Sequence, residues 1–364
     1  MLKYLFLFIL LYHSLIHLRS FVRSKGFTTT GKITTPLSKK TENWCLLASV
    51  LFIVTATGFI FKTSWWPFVA VMAICLSQTF IFKNWGNAKF GTLPNLIVLL
   101  AVISVWGSQH FESRFIHDVK IHLQKNISPK NELFTEADLD SLPPPVRKYL
   151  RYSGAVGRPH VYNMRLSFEG EMRGKDIDWF PLNSLQYNFF DNPTRLFFIR
   201  GMMYGLQVPG FHNYQNGTDR MDIKLFGLIP VIHQEGPELN KTETVTYFND
   251  LCLFAPAALT DKRILWASID SHSVRAIFTN GANKISARLI FNDGGQLINF
   301  VSDDRSPIDE KKPVRFSTPV KDYKMFDGRN VPTYGEAIWH YTDQDFVYGR
   351  FYLKSIEYNV AEVK

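Results

Sequence analysis

LPNLIVLLAVISVW, Leu93 to Trp106, carries no charged side chain, and the character of the chain changes where it ends. Before it come three more apolar runs, Leu2 to Leu18, Trp44 to Phe61 and Trp65 to Phe82. Roughly 20 residues of helix cross about 30 Å of hydrocarbon, and interfacial residues can complete a shorter run. Trp44, Trp65, Trp66, Trp85 and Trp106 stand at the run ends, where indole rings favour the headgroup layer. The pattern predicts four membrane spans.

Charge supports that division. The formal net charge of the 364-residue chain is +9. Up to Glu112 the basic residues are Lys3, Arg19, Arg23, Lys25, Lys32, Lys39, Lys40, Lys62, Lys83 and Lys89, against only Glu42 and Glu112, so ten minus two gives +8 there and leaves +1 of the +9 for the remainder. The excess lies between apolar runs, where basic loops set orientation, and gives no phosphate-tracking surface, so no nucleic-acid partner is expected. The first run keeps bulky Tyr12, His13 and His17 and lacks a small-residue cleavage pattern, so it reads as an uncleaved helix. With the loop from Arg19 to Lys40 and the loop holding Lys83 and Lys89 in the cytoplasm, the fourth span exits. The expected organisation is a four-helix transmembrane region over 1–107, a helical stalk and linker over 108–131, and an extracytoplasmic domain over 132–364. The expected location is a bacterial inner membrane.

His13 and His17, four residues apart, share a helix face within the first span. An intramembrane pair invites a haem or metal reading. With no carboxylate or cysteine beside them to complete a site, they are expected to be neutral and either hydrogen-bonded to neighbouring helices or near the interface. After Trp106 the stripe Phe111, Phe115, Ile116, Val119 and Leu123 recurs at helical spacing, so the fourth helix is expected to continue to about Gln124.

From Tyr162 the period becomes two. Tyr162, Met164, Leu166 and Phe168 alternate with polar residues, and the alternation returns at Leu185–Phe189, Met221–Leu225, Val274–Phe278 and Ile285–Phe291. Asn216-Gly217, Asn280-Gly281, Asp293-Gly294-Gly295 and Asp327-Gly328 supply hairpin turns. Ten or more such strands are too many for a flat sheet and predict a curled antiparallel meander, a half-barrel. Thr135 to Asp138 forms a capping box ahead of two short helices separated by Pro143-Pro144-Pro145. Pro237 to Phe254 is an inserted amphipathic helix with Val245, Phe248, Leu251 and Cys252 on one face. The predicted class is therefore a membrane α-helical bundle followed by an α+β domain, with space between helix and sheet. Of three cysteines only Cys252 lies in that domain, so no disulfide can staple it.

Several segments carry a family resemblance: YHSLIHL (12–18), WWPFVAVMAICLSQ (65–78), AKFGTLPNLIVLL (88–100), LPPPVRKYLRYSG (142–154), VYNMRLSFEGEMR (161–173), FNDGGQLINFVSDDR (291–305) and DGRNVPTYGEAIWHY (327–341). Together they resemble a family of uncharacterised bacterial membrane proteins known as a domain of unknown function. That resemblance implies an inner-membrane protein and brings no catalytic residues. The meander with its inserted helix is also similar in outline to the lipoprotein-carrier half-barrel of the Lol type, an analogy of fold only, from which the chain departs by its four spans.

No GxSxG elbow, HExxH, CxxC or Walker loop is present, and neither cofactor nor metal is expected. His212, Asp219, Arg220, Asp222, His233 and Glu235 could be drawn as a metal or acid/base site. Alternation, however, puts Arg220 and Asp222 opposite Met221 and Ile223, on the face expected to meet solvent, with the histidines at turns. Asp303-Asp304-Arg305 reads as a surface ion pair. The remaining candidates are apolar. Phe197, Phe198, Met202, Met203, Tyr204 and Phe211, with Val245 and Phe248 of the helix, are the expected lining of an adaptable pocket. The expected function is a membrane-tethered, non-catalytic binding module for a lipid or other apolar ligand. The alternatives are a solid-cored module that docks an envelope protein, and an enzyme acting on envelope lipids.

Overall fold

The computed structural model describes residues 2–24, 39–125, 132–308, 310 and 312–363. The expected basic loop at Lys25 and Lys32 and the expected linker over 126–131 lie outside the described residues. The chain forms two units, Met1–Gln109 and His110–Lys364.

Helices α1 (Leu2–Ser24), α2 (Lys39–Ile60), α3 (Trp66–Lys83) and the short α4 (Trp85–Ala88) belong to the first unit, with the opening turns of α5 (Thr92–Lys125). Leu2–Val22, Asn43–Ile60, Trp66–Lys83 and Trp85–Lys125 are long and apolar enough to cross a membrane. Polarity runs inside out. Leu5, Phe8, Leu15, Phe68, Met72 and Leu100 are exposed, whereas His13, Ser14, His17, Ser49, Ser77 and Asn95 are buried. Ala56, Ala70 and Ala73 let the helices approach closely around Phe52 and Trp66. Within this core His13 Nε2 stands 3.0 Å from Ser77 Oγ and 3.0 Å from Asn95 Oδ1, and His17 Nε2 stands 2.8 Å from the same serine. The two histidines thus bond to α3 and α5.

The second unit is built on β1 (Asn163–Gly174), β2 (Ile177–Phe189), β3 (Thr194–Met203), β4 (Leu206–Gln215), β5 (Thr218–Leu225), β6 (Ile229–Glu235), β7 (Ile264–Ser268), β8 (Ser273–Asn280), β9 (Asn283–Phe291), β10 (Leu297–Ser302), β11 (Arg315–Phe326), β12 (Arg329–His340) and β13 (Asp345–Tyr358). All pair antiparallel in one 13-stranded sheet of order β6-β5-β4-β3-β2-β1-β13-β12-β11-β10-β9-β8-β7. The first and last strands meet at its centre, where Arg165 donates to Glu357 at 2.7 Å. The sheet curls without closing, and β6 and β7 are its free edges. The four expected hairpins each turn on a glycine at positive φ, Gly217 (φ 75°), Gly281 (φ 58°), Gly295 (φ 86°) and Gly328 (φ 69°).

One turn is not where the composition points. Tyr204 (φ 52°) and Gly205 (φ 81°) form the β3–β4 hairpin inside what reads as one apolar run. A bulky residue takes left-handed backbone there because glycine follows it and the strands on either side are held in register from Thr194↔Gln215 to Met203↔Leu206.

Because β6 and β7 are opposite edges, the chain between them has to traverse the sheet. Helix α7 (Pro237–Phe254) and the 3-10 turn Pro256–Thr260 do so on the concave side. On one flank of α7, Val245, Phe248, Leu251 and Cys252 pack with α6 (Pro144–Tyr152) and strands β8–β10 in the main core. Phe248 stacks on Phe278 at 5.1 Å. On the convex side, Phe111, Phe115, Val119 and Leu123 of α5 are buried against Leu185, Tyr187, Phe189, Leu196, Phe198 and Phe211. Strands β2–β4 are therefore covered on both faces.

Candidate functional site

The other flank of α7 is not packed. Between it and the concave face of β1, β3, β5 and β11–β13 lies a cavity of about 800 Å³. Leu239, Thr242, Glu243, Thr246, Asn249, Asp250 and Leu253 recur at spacings of three and four and form the helix wall of this cavity. The polar side of α7 thus turns inward, and from Thr242 onward the helix is buried almost all round. Met172, Phe197, Ile199, Met221 and Ile223 supply apolar floor.

The cavity has two chemically distinct ends. At one, Phe316, Trp339 and Tyr348 form an aromatic wall, with Trp339 and Tyr348 stacked at 5.7 Å. Arg305 lies over Phe316 at 4.2 Å to the ring centroid and donates to the Tyr348 hydroxyl at 2.6 Å. At the other end Arg195, buried to 5% exposure, donates from Nε to Asp250 Oδ2 at 2.7 Å. Its terminal nitrogens donate to Glu243 Oε2 at 3.2 Å and to Gln186 Oε1 at 3.1 Å. Gln186 also donates to Asp250 at 2.7 Å. Buried charges of this kind are tolerated only when bonded on every side.

Next to this network stand His212 and Asp219. His212 Nδ1 is 3.7 Å from Asp219 Oδ2 and 3.8 Å from Glu243 Oε1, beyond hydrogen-bonding reach. Both Asp219 carboxylate oxygens and His212 Nδ1 are buried without a hydrogen-bond partner among the described residues. Burial, reinforced by the charge of Glu243, pushes the Asp219 carboxyl above its ordinary value. Burial also acts to raise Glu243, but His212, Arg195 and Arg305 outweigh it and hold that carboxyl below the ordinary range. Asp250 is raised by burial in spite of Arg195.

The structure separates the residues that sequence grouped. Of the expected pocket lining, Phe197 is in the cavity wall. Phe198 and Phe211 point to the convex face and pack on α5, because adjacent strand positions alternate sides. Met202, Met203 and Tyr204 sit at or beside the β3–β4 hairpin, with Tyr204 80% exposed. Val245 and Phe248 are on the packed flank of α7.

The polar group around His212 also divides. Arg220, Asp222, His233 and Glu235 form an ion cluster, with His233 Nδ1 2.8 Å and Arg220 Nε 2.9 Å from Asp222. His212 and Asp219 share the other face with Met221, and His212 pairs in register with Met221 and lines the cavity, so His212 is inward and not at a turn, with Asp219 buried beside it. In Asp303-Asp304-Arg305 only Asp303 is the expected surface pair, with Arg315 at 2.8 Å. Asp304 holds Lys241 at 2.7 Å, and Arg305 enters the cavity. Sequence reasoning missed Arg195, Glu243 and Asp250. The available signal was the polar stripe of α7 at helical spacing, which becomes informative only with a concave partner for it.

No curated protein matches the chain. Among solved structures it is similar to a putative outer membrane lipoprotein-sorting protein domain from Vibrio parahaemolyticus, at 9% identity over 56% of this chain and 87% of that one, with a TM-score of 0.34. A DUF1329 family protein from Desulfovibrio piger is similar at 10% identity over 64% and 96%, with a TM-score of 0.35. A LolA superfamily protein from Nitrosomonas europaea is similar at 9% identity over 59% and 94%, with a TM-score of 0.35. The model of a family of unknown function (DUF6544) matches residues 132–351, more than half of the 364-residue chain, and the chain belongs to that family.

Proposed function

We propose that the second unit is a binding module for an amphiphile, a lipid or a molecule of similar build, and that the helices of the first unit hold the chain in a bacterial inner membrane with this module outside the cytoplasm. The observation that carries the reading is the cavity of about 800 Å³, which is in the range of small-molecule sites. Its lining suits a ligand with one apolar and one polar part. Aromatic and aliphatic side chains cover most of the wall, and Arg305 offers a cation beside the aromatic end. The inside-out polarity of the first unit supports membrane insertion, since in hydrocarbon it is the interior that gathers hydrogen-bonding groups. Lys83 and Lys89 on one side of α3 and Lys62 alone on the other support the orientation. A solid-cored docking module would need a filled interior, and the open flank of α7 weighs against it.

The test is lipid extraction and mass spectrometry on the full chain in detergent, compared with Thr246→Trp. Thr246 is half-buried on the cavity wall, so an indole there occupies ligand space. The wild type should retain about one equivalent of amphiphile, and the variant at least tenfold less, while lipid around the membrane helices stays equal in both. Equal retention at every level would remove the proposal.

A further inference from the structure

We propose that His212 Nδ1, the Asp219 carboxylate and Glu243 Oε1 form a site for one divalent transition-metal cation on the cavity wall. One ligand atom from each residue lies within 4.8 Å of the others. The two measured separations from His212 Nδ1 are 3.7 and 3.8 Å. Ligand atoms around a tetrahedral ion at about 2.1 Å stand about 3.4 Å apart, so the two separations from His212 need to close by only a few tenths of an ångström, and the two carboxylates start within 4.8 Å of each other. The donors come from β4, β5 and α7, three elements fixed by the sheet and by the helix that crosses it.

Two features point to a cation as the ligand of this site. The Asp219 side chain is fully buried, yet neither of its oxygens has a hydrogen-bond partner among the described residues, and His212 Nδ1 is equally unpartnered. Buried carboxylates are otherwise bonded throughout. Charge is also out of balance. Asp219, Glu243 and Asp250 are three buried carboxylates against the Arg195 guanidinium, with Arg305 of the cavity wall as the second cation that acts on Glu243, so the formal balance stays negative by one. A bound cation reduces that excess.

The surroundings hold the donors in place. Arg195 occupies Glu243 Oε2 at 3.2 Å and leaves Oε1 turned to His212, with only a 3.4 Å contact from the Thr246 hydroxyl. The Asp219 backbone N–H donates to Asn240 Oδ1 at 2.7 Å, fixing the strand end that carries the carboxylate. An imidazole with two carboxylates suits Zn(II), Mn(II) or Fe(II) better than Ca(II) or Cu(I). His212 and Glu243 line the cavity, so a coordination position opens toward its interior.

The test uses the full chain in detergent, stripped with a chelator, loaded with Zn(II) or Mn(II), dialysed and assayed by elemental mass spectrometry, with Co(II) visible absorption as a second readout. One equivalent retained by the wild type, with retention lowered at least tenfold in Asp219→Asn and His212→Ala, supports the site. Asp222→Asn and the double variant His13→Asn/His17→Asn should keep the wild-type equivalent. The proposal is overturned if the stripped wild type takes up no metal and gives no Co(II) ligand-field bands, or if Asp219→Asn binds as the wild type does. The wild-type measurement decides even where a variant fails to fold.

Discussion

Phe197 lies 4.4 Å from the Arg195 guanidinium and faces the cavity, whereas Phe198 stacks on Phe115 at 5.5 Å beneath α5. Truncating each should therefore have different consequences. Phe198→Ala leaves a hole in a closed layer and should cost about 3–5 kcal/mol. Phe197→Ala enlarges a space that already exists. Its loss should be about 1–2 kcal/mol, from the cation–π contact and one side of the burial. Urea unfolding followed by far-UV circular dichroism measures both, and lipid retention should fall only in Phe197→Ala. Equal destabilisation with equal retention would mean that the two faces are not distinct. Sequence could not have made this distinction. The sequence reading grouped Phe197 and Phe198 in one lining; strand alternation puts them on opposite faces, but both faces of β3 are covered, so hydrophobicity carries no sign of which is inward.

Elements show the same limit at larger scale. Hairpins were legible because Asn-Gly and Asp-Gly meet a local backbone demand, and the inserted helix was legible from its capping proline and apolar stripe. What α7 turns toward the open side was not, since polar residues on a helix face ordinarily meet water. Its two flanks give a direct comparison. Phe248 stacks on Phe278 and meets Phe300 edge-on at 6.0 Å, so Phe248→Ala should cost about 3–5 kcal/mol. Thr246 is on the cavity wall, and Thr246→Ala should change stability by less than about 0.5 kcal/mol, the usual range for substitutions away from packed features. Thermal unfolding of the two variants in one detergent measures the difference. A large cost at Thr246 would show that its side chain supports the wall and does not merely border free space.

At the scale of the whole molecule, the family match and the structural unit begin at different residues. The match starts at residue 132, while the second unit starts at His110 and takes in the end of α5. The segment between supplies Phe111, Phe115, Val119 and Leu123, all buried on the convex face. At about 1.5–3 kcal/mol for each buried side chain, these four contribute about 6–12 kcal/mol. That is comparable to the whole stability of a typical domain, about 5–15 kcal/mol. A chain cut to residues 132–364 would expose Leu185, Tyr187, Phe189, Leu196, Phe198 and Phe211 as one apolar patch. It should aggregate and bind a hydrophobic dye, whereas residues 110–364 should elute as a single species with native-like near-UV dichroism. Size-exclusion chromatography of the two fragments from the same preparation decides it. A monodisperse 132–364 fragment as stable as the longer one would mean that the convex layer is dispensable and that the family match alone bounds the folding unit. The opposite result would make the extension of α5 part of the second unit's own core.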